Sequence, residues 1–218
     1  MNAVQEKNER GSRKSGGHSP RTESRRRDLR EALLAAAERR IAESGLADLK
    51  ARELAQEAGC ALGALYTVFE DLDALILAVN GRTLDALEAA VERAADPGRD
   101  PVEQVAALAE AYLDYAAAHR QRWAALFKHR MTGGRLPPDW YNERQARLFR
   151  HVEAPLDTLR PGLATEERAR LARSLFSAVQ GIIALGLDEK LVPMPEAVLR
   201  AHLRLLSRAL ARGLTLEA

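Results

Sequence analysis

Three consecutive arginines, Arg25, Arg26 and Arg27, and a thirteen-residue segment from Glu57 to Phe69, EAGCALGALYTVF, hold the residues best suited to chemistry in this sequence. Guanidinium groups bind phosphate oxygens through two parallel hydrogen bonds. With Lys7, Arg10, Arg13, Lys14 and Arg21 they make the start of the chain basic, against only Glu6, Glu9 and Glu23. The whole chain has a formal net charge of only +2, so any basic function must come from such local segregation. The second segment reads as a helix end, a tight turn at Gly59 and a second helix, the outline of a helix-turn-helix, yet it contains no Lys or Arg. Ala61, Leu62 and Ala64, with Gly63 between them, offer small apolar groups of the kind that meet thymine methyls in a major groove. Tyr66 and Thr67 add hydroxyl donors, and Lys50 and Arg52 begin the preceding helix, where its positive end helps to hold phosphate. The remaining phosphate affinity is expected from the arginines, as a flexible basic arm lying along the backbone or in the minor groove.

Other chemistries lack their residues. His18, His119, His129, His151 and His202 belong to no HExxH motif, and there is no nucleophile elbow or glycine-rich phosphate loop. Cys60 is the single cysteine, which excludes an internal disulfide, and no Cys/His cluster has zinc-site spacing. The expectation is no enzyme, no catalytic residue, no metal and no cofactor. No signal-like apolar core and no run near the roughly 20 residues needed to cross a bilayer is visible, which predicts a cytoplasmic chain with no membrane partner.

The elements that must position these residues are helical. Ala, Leu, Arg and Glu dominate, so the fold class is all-α, with about nine helices. Residues 1–24 have no apolar period and are expected to be a disordered basic arm. From Arg26, Leu29, Leu33, Ala36 or Ala37, Arg40 and Ile41 recur at helical spacing until Ser44-Gly45. ARELAQEA closes on Gly59, and Leu62, Leu65 and Phe69 form the inward stripe of the next helix, completing a head over residues 25–70. Over residues 71–218 a larger helical domain follows, with a long helix from Asp71 to about Ala95 and others at about 102–119, 122–131, 138–159, 166–190 and 195–212. Thr165 is the expected N-cap of the helix that begins at Glu166.

Over Arg26 to Val79 the order and residues resemble the TetR/AcrR group of bacterial transcription regulators: Gly45, Leu54-Ala55, Ala58-Gly59, Gly63, Leu65-Tyr66, Phe69 and Leu75 fall where that pattern places them. Further on, HRQRWAALFKHRM and SLFSAVQGIIAL resemble segments of one subgroup, with Phe176, Gln180 and Gly181 where its members often have Trp, His and Gly. The chain departs from the pattern at Lys50, Ala61, Ala64 and Leu72, where Thr, Ser, Thr and Lys are usual. The resemblance implies a homodimer that binds a palindromic double-stranded operator as a repressor and is released by a small effector. The departures keep a second reading open, a helical dimer that binds a ligand or protein and has lost operator binding.

In the larger domain Trp123, Phe127 and Met131 recur every four residues on one helical face. With Tyr112, Tyr115, Trp140, Phe149, Phe176 and Gln180 they are the expected lining of a pocket for a small apolar or amphipathic ligand. Leu171, Leu175, Ala178 and Ile182 form one later stripe and Leu199, Leu203, Leu206 and Leu210 another, with Arg200, Arg204 and Arg208 on the polar side. The resemblance implies that these two stripes pair with their copies across the dimer.

Overall fold

The computed structural model describes residues 20–188 and 194–216, and most of the expected arm lies outside the described residues. Helix α1 spans Pro20–Ser44 and so starts earlier than its apolar period predicts. Proline is compatible with a first helical turn, and Glu23 favours the positive helix end. This first part is solvent-exposed, so no apolar residue marks it. Arg25, Arg26 and Arg27 therefore project from a helix, which corrects the flexible arm.

Among the described residues eight further α-helices follow, α2 (Ala51–Glu57), α3 (Leu62–Val68), α4 (Leu72–Ala94), α5 (Pro101–Ala118), α6 (Arg120–Lys128), α7 (Asp139–Leu159), α8 (Thr165–Gly186) and α9 (Glu196–Leu216). The all-α reading holds. Asp71 caps α4 by accepting from the Ala74 amide at 2.7 Å, and Asp100 caps α5 through the Val102 and Glu103 amides. The cap expected at Thr165 is not there: Ala164 occupies the N-cap without a side-chain bond and Thr165 is already helical. Glu166 and Glu167 in that first turn act on the helix dipole instead.

The head core joins Leu33, Ala37 and Ile41 of α1 to Leu54, Leu65 and Phe69, and is closed by Leu75 and Val79 of α4 and by Ala125 of α6. Leu62 does not share it. At the first position of α3 it is 42% exposed. In the body, α5 lies against α9, whose arginines, four residues apart, meet α5 acids: Arg200 with Asp114 at 2.6 Å, Arg204 with Glu110 and Arg208 with Glu103, each at 2.5 Å. The buried sides of α4, α5, α8 and α9 join Leu87, Leu113, Val179, Ile183, Leu199 and Leu203 into a second core.

Candidate functional site

The head presents a smooth second helix beside a basic groove. Gly59 has φ +68, a left-handed conformation that costs a residue with a Cβ, and it turns the chain from α2 into α3. The exposed surface of α3 then consists of Ala61, Leu62, Gly63, Tyr66 and Thr67, with Ala64 half-buried and Tyr66 50% exposed. Thr67 Oγ donates to the Ala64 carbonyl at 2.7 Å, so its proton is engaged within the helix. Lys50 and Arg52 are exposed at the start of α2, and Lys50 Nζ bonds Glu53 at 3.2 Å.

Arg26, Arg27 and Arg30 of α1, with Glu23 and the α3 residue Val68, line a groove of about 470 Å³. Arg25 is exposed but is not part of that lining. Arg30 stacks over the Phe69 ring at 4.7 Å, which ties the groove to the end of α3. Sequence reading missed Arg30, although its spacing from Arg26 and Arg27 puts it on their helical face. It also missed Arg39, and it counted Arg40 only in the helical period; both bond Glu57 and so fasten α2 to α1. Arg39 first, and then Arg40, hold the Glu57 carboxyl below its usual pKa.

In the body a cavity of about 50 Å³ is lined by Tyr112, Phe176 and aliphatic residues that include Val91, Val105, Leu148 and Val179. Trp123 Nε1 donates to the Tyr112 hydroxyl at 2.9 Å, and that hydroxyl donates to Gln180 Oε1 at 2.6 Å. Burial pushes the Tyr112 pKa well above its ordinary value, so it stays protonated. Phe149 meets the Phe176 ring edge-on at 5.2 Å, and Phe127, 40% exposed, meets Trp123 at 5.5 Å.

Of the expected pocket residues only Tyr112 and Phe176 line this cavity; Trp123, Phe127, Phe149 and Gln180 adjoin it only through those bonds and ring contacts, and Met131, Tyr115 and Trp140 lie elsewhere. Helix α6 stops at Lys128, so Met131 leaves the face of Trp123 and packs near Leu77, Leu84 and Tyr141. Tyr115, turned about 60° around α5 from Tyr112 by its three-residue offset, donates to the Thr83 carbonyl at 3.3 Å. Trp140 stands 37% exposed at the start of α7. The aliphatic lining was not legible because four helices contribute to it and only their packing brings it together.

The two stripes expected at a dimer interface divide. Leu175, Leu199 and Leu203 are buried within the protomer, and Leu171 and Ile182 are half-buried against its clusters. Ala178, Leu206 and Leu210 are exposed, together with Leu185, Val198 and Leu205. Both helices carry apolar residues on two sides, so a single stripe cannot describe either.

A helix-turn-helix head with arginines beside its second helix, carried on a larger all-helical body, defines a DNA-binding regulator of transcription. Residues 33–79 match the model for bacterial regulatory proteins of the tetR family, and residues 105–210 match the tetracyclin repressor-like C-terminal domain. The chain belongs to the TetR family of transcription regulators, and it is not an enzyme. A structure of a protein of unknown function from Rhodococcus sp. RHA1 is 29% identical with a TM-score of 0.67, covering 86% of this chain and 95% of that one. A possible TetR family transcriptional regulator from Streptomyces coelicolor A3(2) is 24% identical with a TM-score of 0.63, covering 87% of this chain and all of that one. A TetR transcriptional regulator from Rhodococcus sp. RHA1 shares the fold at 20% identity and a TM-score of 0.60, covering 86% of this chain and 97% of that one. No curated protein matches the chain significantly. Among the described residues no helix is long and apolar enough to cross a membrane.

Proposed function

We propose that the chain is a repressor that binds a palindromic operator as a homodimer and is released by a small uncharged effector. The observation that carries this reading is the cation-free exposed face of α3 lying beside the arginine groove of α1. Leu62, Ala61 and Tyr66 contact base edges and methyls, and Arg26, Arg27 and Arg30 hold the adjacent phosphates. The exposed apolar residues of α8 and α9, among them Leu206 and Leu210, pair with a second copy and set the spacing of the two heads.

The effector enters the cavity beside Tyr112. Its walls are almost wholly apolar and the Tyr112 hydroxyl is already bonded on both sides, so an ionised ligand would lose its hydration without replacement there. A void of about 50 Å³ admits little more than a water or two, so a larger effector must displace some of the side chains that line it. That displacement is how binding favours one head spacing over another.

The test is a gel shift with DNA upstream of the gene at several salt concentrations. The protein should hold one inverted repeat far more tightly than random DNA. Arg26→Gln with Arg27→Gln should weaken binding to every duplex and reduce the salt slope by about 2, close to one unit per lost phosphate contact. Equal affinity for the repeat and for random DNA would favour the reading in which operator binding has been lost.

A further inference from the structure

We propose that the chain has a second ligand site, a cleft where α1, α4 and α7 meet, and that it takes an aromatic carboxylate. The cleft measures about 360 Å³ and is lined by Arg30, Leu34, Ala78, Arg82, Trp140 and Arg144. That is the lower end of the range of small-molecule sites. Leu34 and Ala78 provide an apolar floor. Trp140 offers a half-exposed indole that is fixed in place: Arg144 lies over it at 5.1 Å, and Gly81 is so close that a Cβ there would stand 3.0 Å from the ring. An aromatic side chain fixed with part of its surface in water is suited to stack on a planar ligand at low entropic cost.

The charge of the cleft selects the ligand. No carboxylate is part of the lining. Arg82 pairs with Glu31 at 2.5 Å and with Glu38, which also takes Arg122, while Arg144 and Arg147 share Asp85 and Arg147 also takes Glu88. These four arginines balance those four acids. Arg30 stands outside the balance, since among the described residues it stacks on Phe69 and forms no ion pair. Arg144 holds Asp85 through Nε, which leaves its terminal nitrogens outside that bridge. A guanidinium that makes no ion pair, though its charge also acts on Glu31, stands beside a fixed indole and matches a planar monoanion, and the forked donors of arginine suit a carboxylate. The interior cavity, with no charged lining residue, suits the opposite class of ligand.

Arg30 also lines the groove between α1 and α3. A carboxylate held in the cleft therefore draws on a guanidinium that the proposed phosphate contact uses, which would link this site to DNA binding.

The test is a calorimetric titration of the full-length protein with sodium 2-naphthoate, in the absence of DNA, so that its outcome does not depend on the operator reading. Saturable binding of one naphthoate per chain is expected, at least tenfold tighter than that of neutral 2-naphthamide, with quenching of tryptophan emission. Arg30→Gln, an exposed change that leaves the fold intact, should weaken naphthoate at least fivefold, as should Arg144→Gln. Val179→Phe, which fills the interior cavity, should leave it unaltered. Equal affinity for acid and amide, indifference to Arg30→Gln, loss of binding in Val179→Phe, or no saturable binding at millimolar naphthoate would each overturn the proposal.

Discussion

Arg122 of α6 reaches across the junction of head and body to Glu38 of α1, 2.7 Å from Nη2 to Oε1, with only 17% and 25% of the two side chains exposed. Arg82 of α4 meets the same carboxylate at 3.3 Å, so Glu38 is the point at which three helices are held together. Glu38→Gln should lower stability by about 1–3 kcal/mol, because it leaves the largely buried Arg122 guanidinium without its carboxylate, while Arg82 keeps Glu31. Urea unfolding measures this, with the exposed Glu43→Gln as control. Identical midpoints for the two variants would show that the junction does not depend on this pair.

Tyr112→Phe removes the hydroxyl that joins Trp123 Nε1 to Gln180 Oε1. The buried indole N–H then has no acceptor, which costs about 1–3 kcal/mol. Thermal unfolding should shift downward. If the effector cavity is used as proposed, affinity for an apolar effector should change by less than the stability does, since the lining is otherwise intact.

Acid should weaken the fold in two stages. Burial holds the His129 pKa below its ordinary 6.5, against the pull of Asp73 and Asp71. The unfolded chain therefore takes up this proton first, and the contribution of neutral His129, complete above 6.5, declines as pH falls below it. Asp71 is held below its ordinary 3.8 by the Ala74 amide and then by Arg135, so its contribution is present above 3.8 and disappears as pH falls through the lower folded value. Denaturant midpoints should hold level above pH 6.5, decline below it and decline again below 3.8, and His129→Gln should flatten the upper stage alone. A decline of the same shape in that variant would refute the assignment.

The split stripes of α8 and α9 separate folding from assembly. Leu203→Ala, at a fully buried position, should cost about 2–5 kcal/mol. Leu206→Glu with Leu210→Glu, at positions 44% and 42% exposed, should leave circular dichroism unchanged and convert the proposed dimer to monomer in sedimentation. A double variant that still sediments as a dimer would place the interface on another face.

The helix-turn-helix was legible because its signals are local. Gly59 at the turn, Leu65 and Phe69 one helical turn apart, and Asp71 before α4 act on their own neighbours. The start of α1 was not legible, because a helix whose first turns face solvent needs no apolar residue there. Met131 was misplaced for a related reason: a four-residue interval marks a shared face only while the helix lasts, and α6 ends at Lys128.

By itself the sequence determined the all-helical class, the order of the helices and the head, since hydrophobic period, turn residues and caps are properties of adjacent residues. Only the tertiary structure decided which leucines of α8 and α9 remain exposed, that Arg30 borders both the α3 groove and the α7 cleft, and that Tyr112, Trp123 and Gln180 form one bonded chain. Those relations join residues from separate helices, and burial of apolar surface, which is non-directional, brings such residues together through packing rather than through any local pattern.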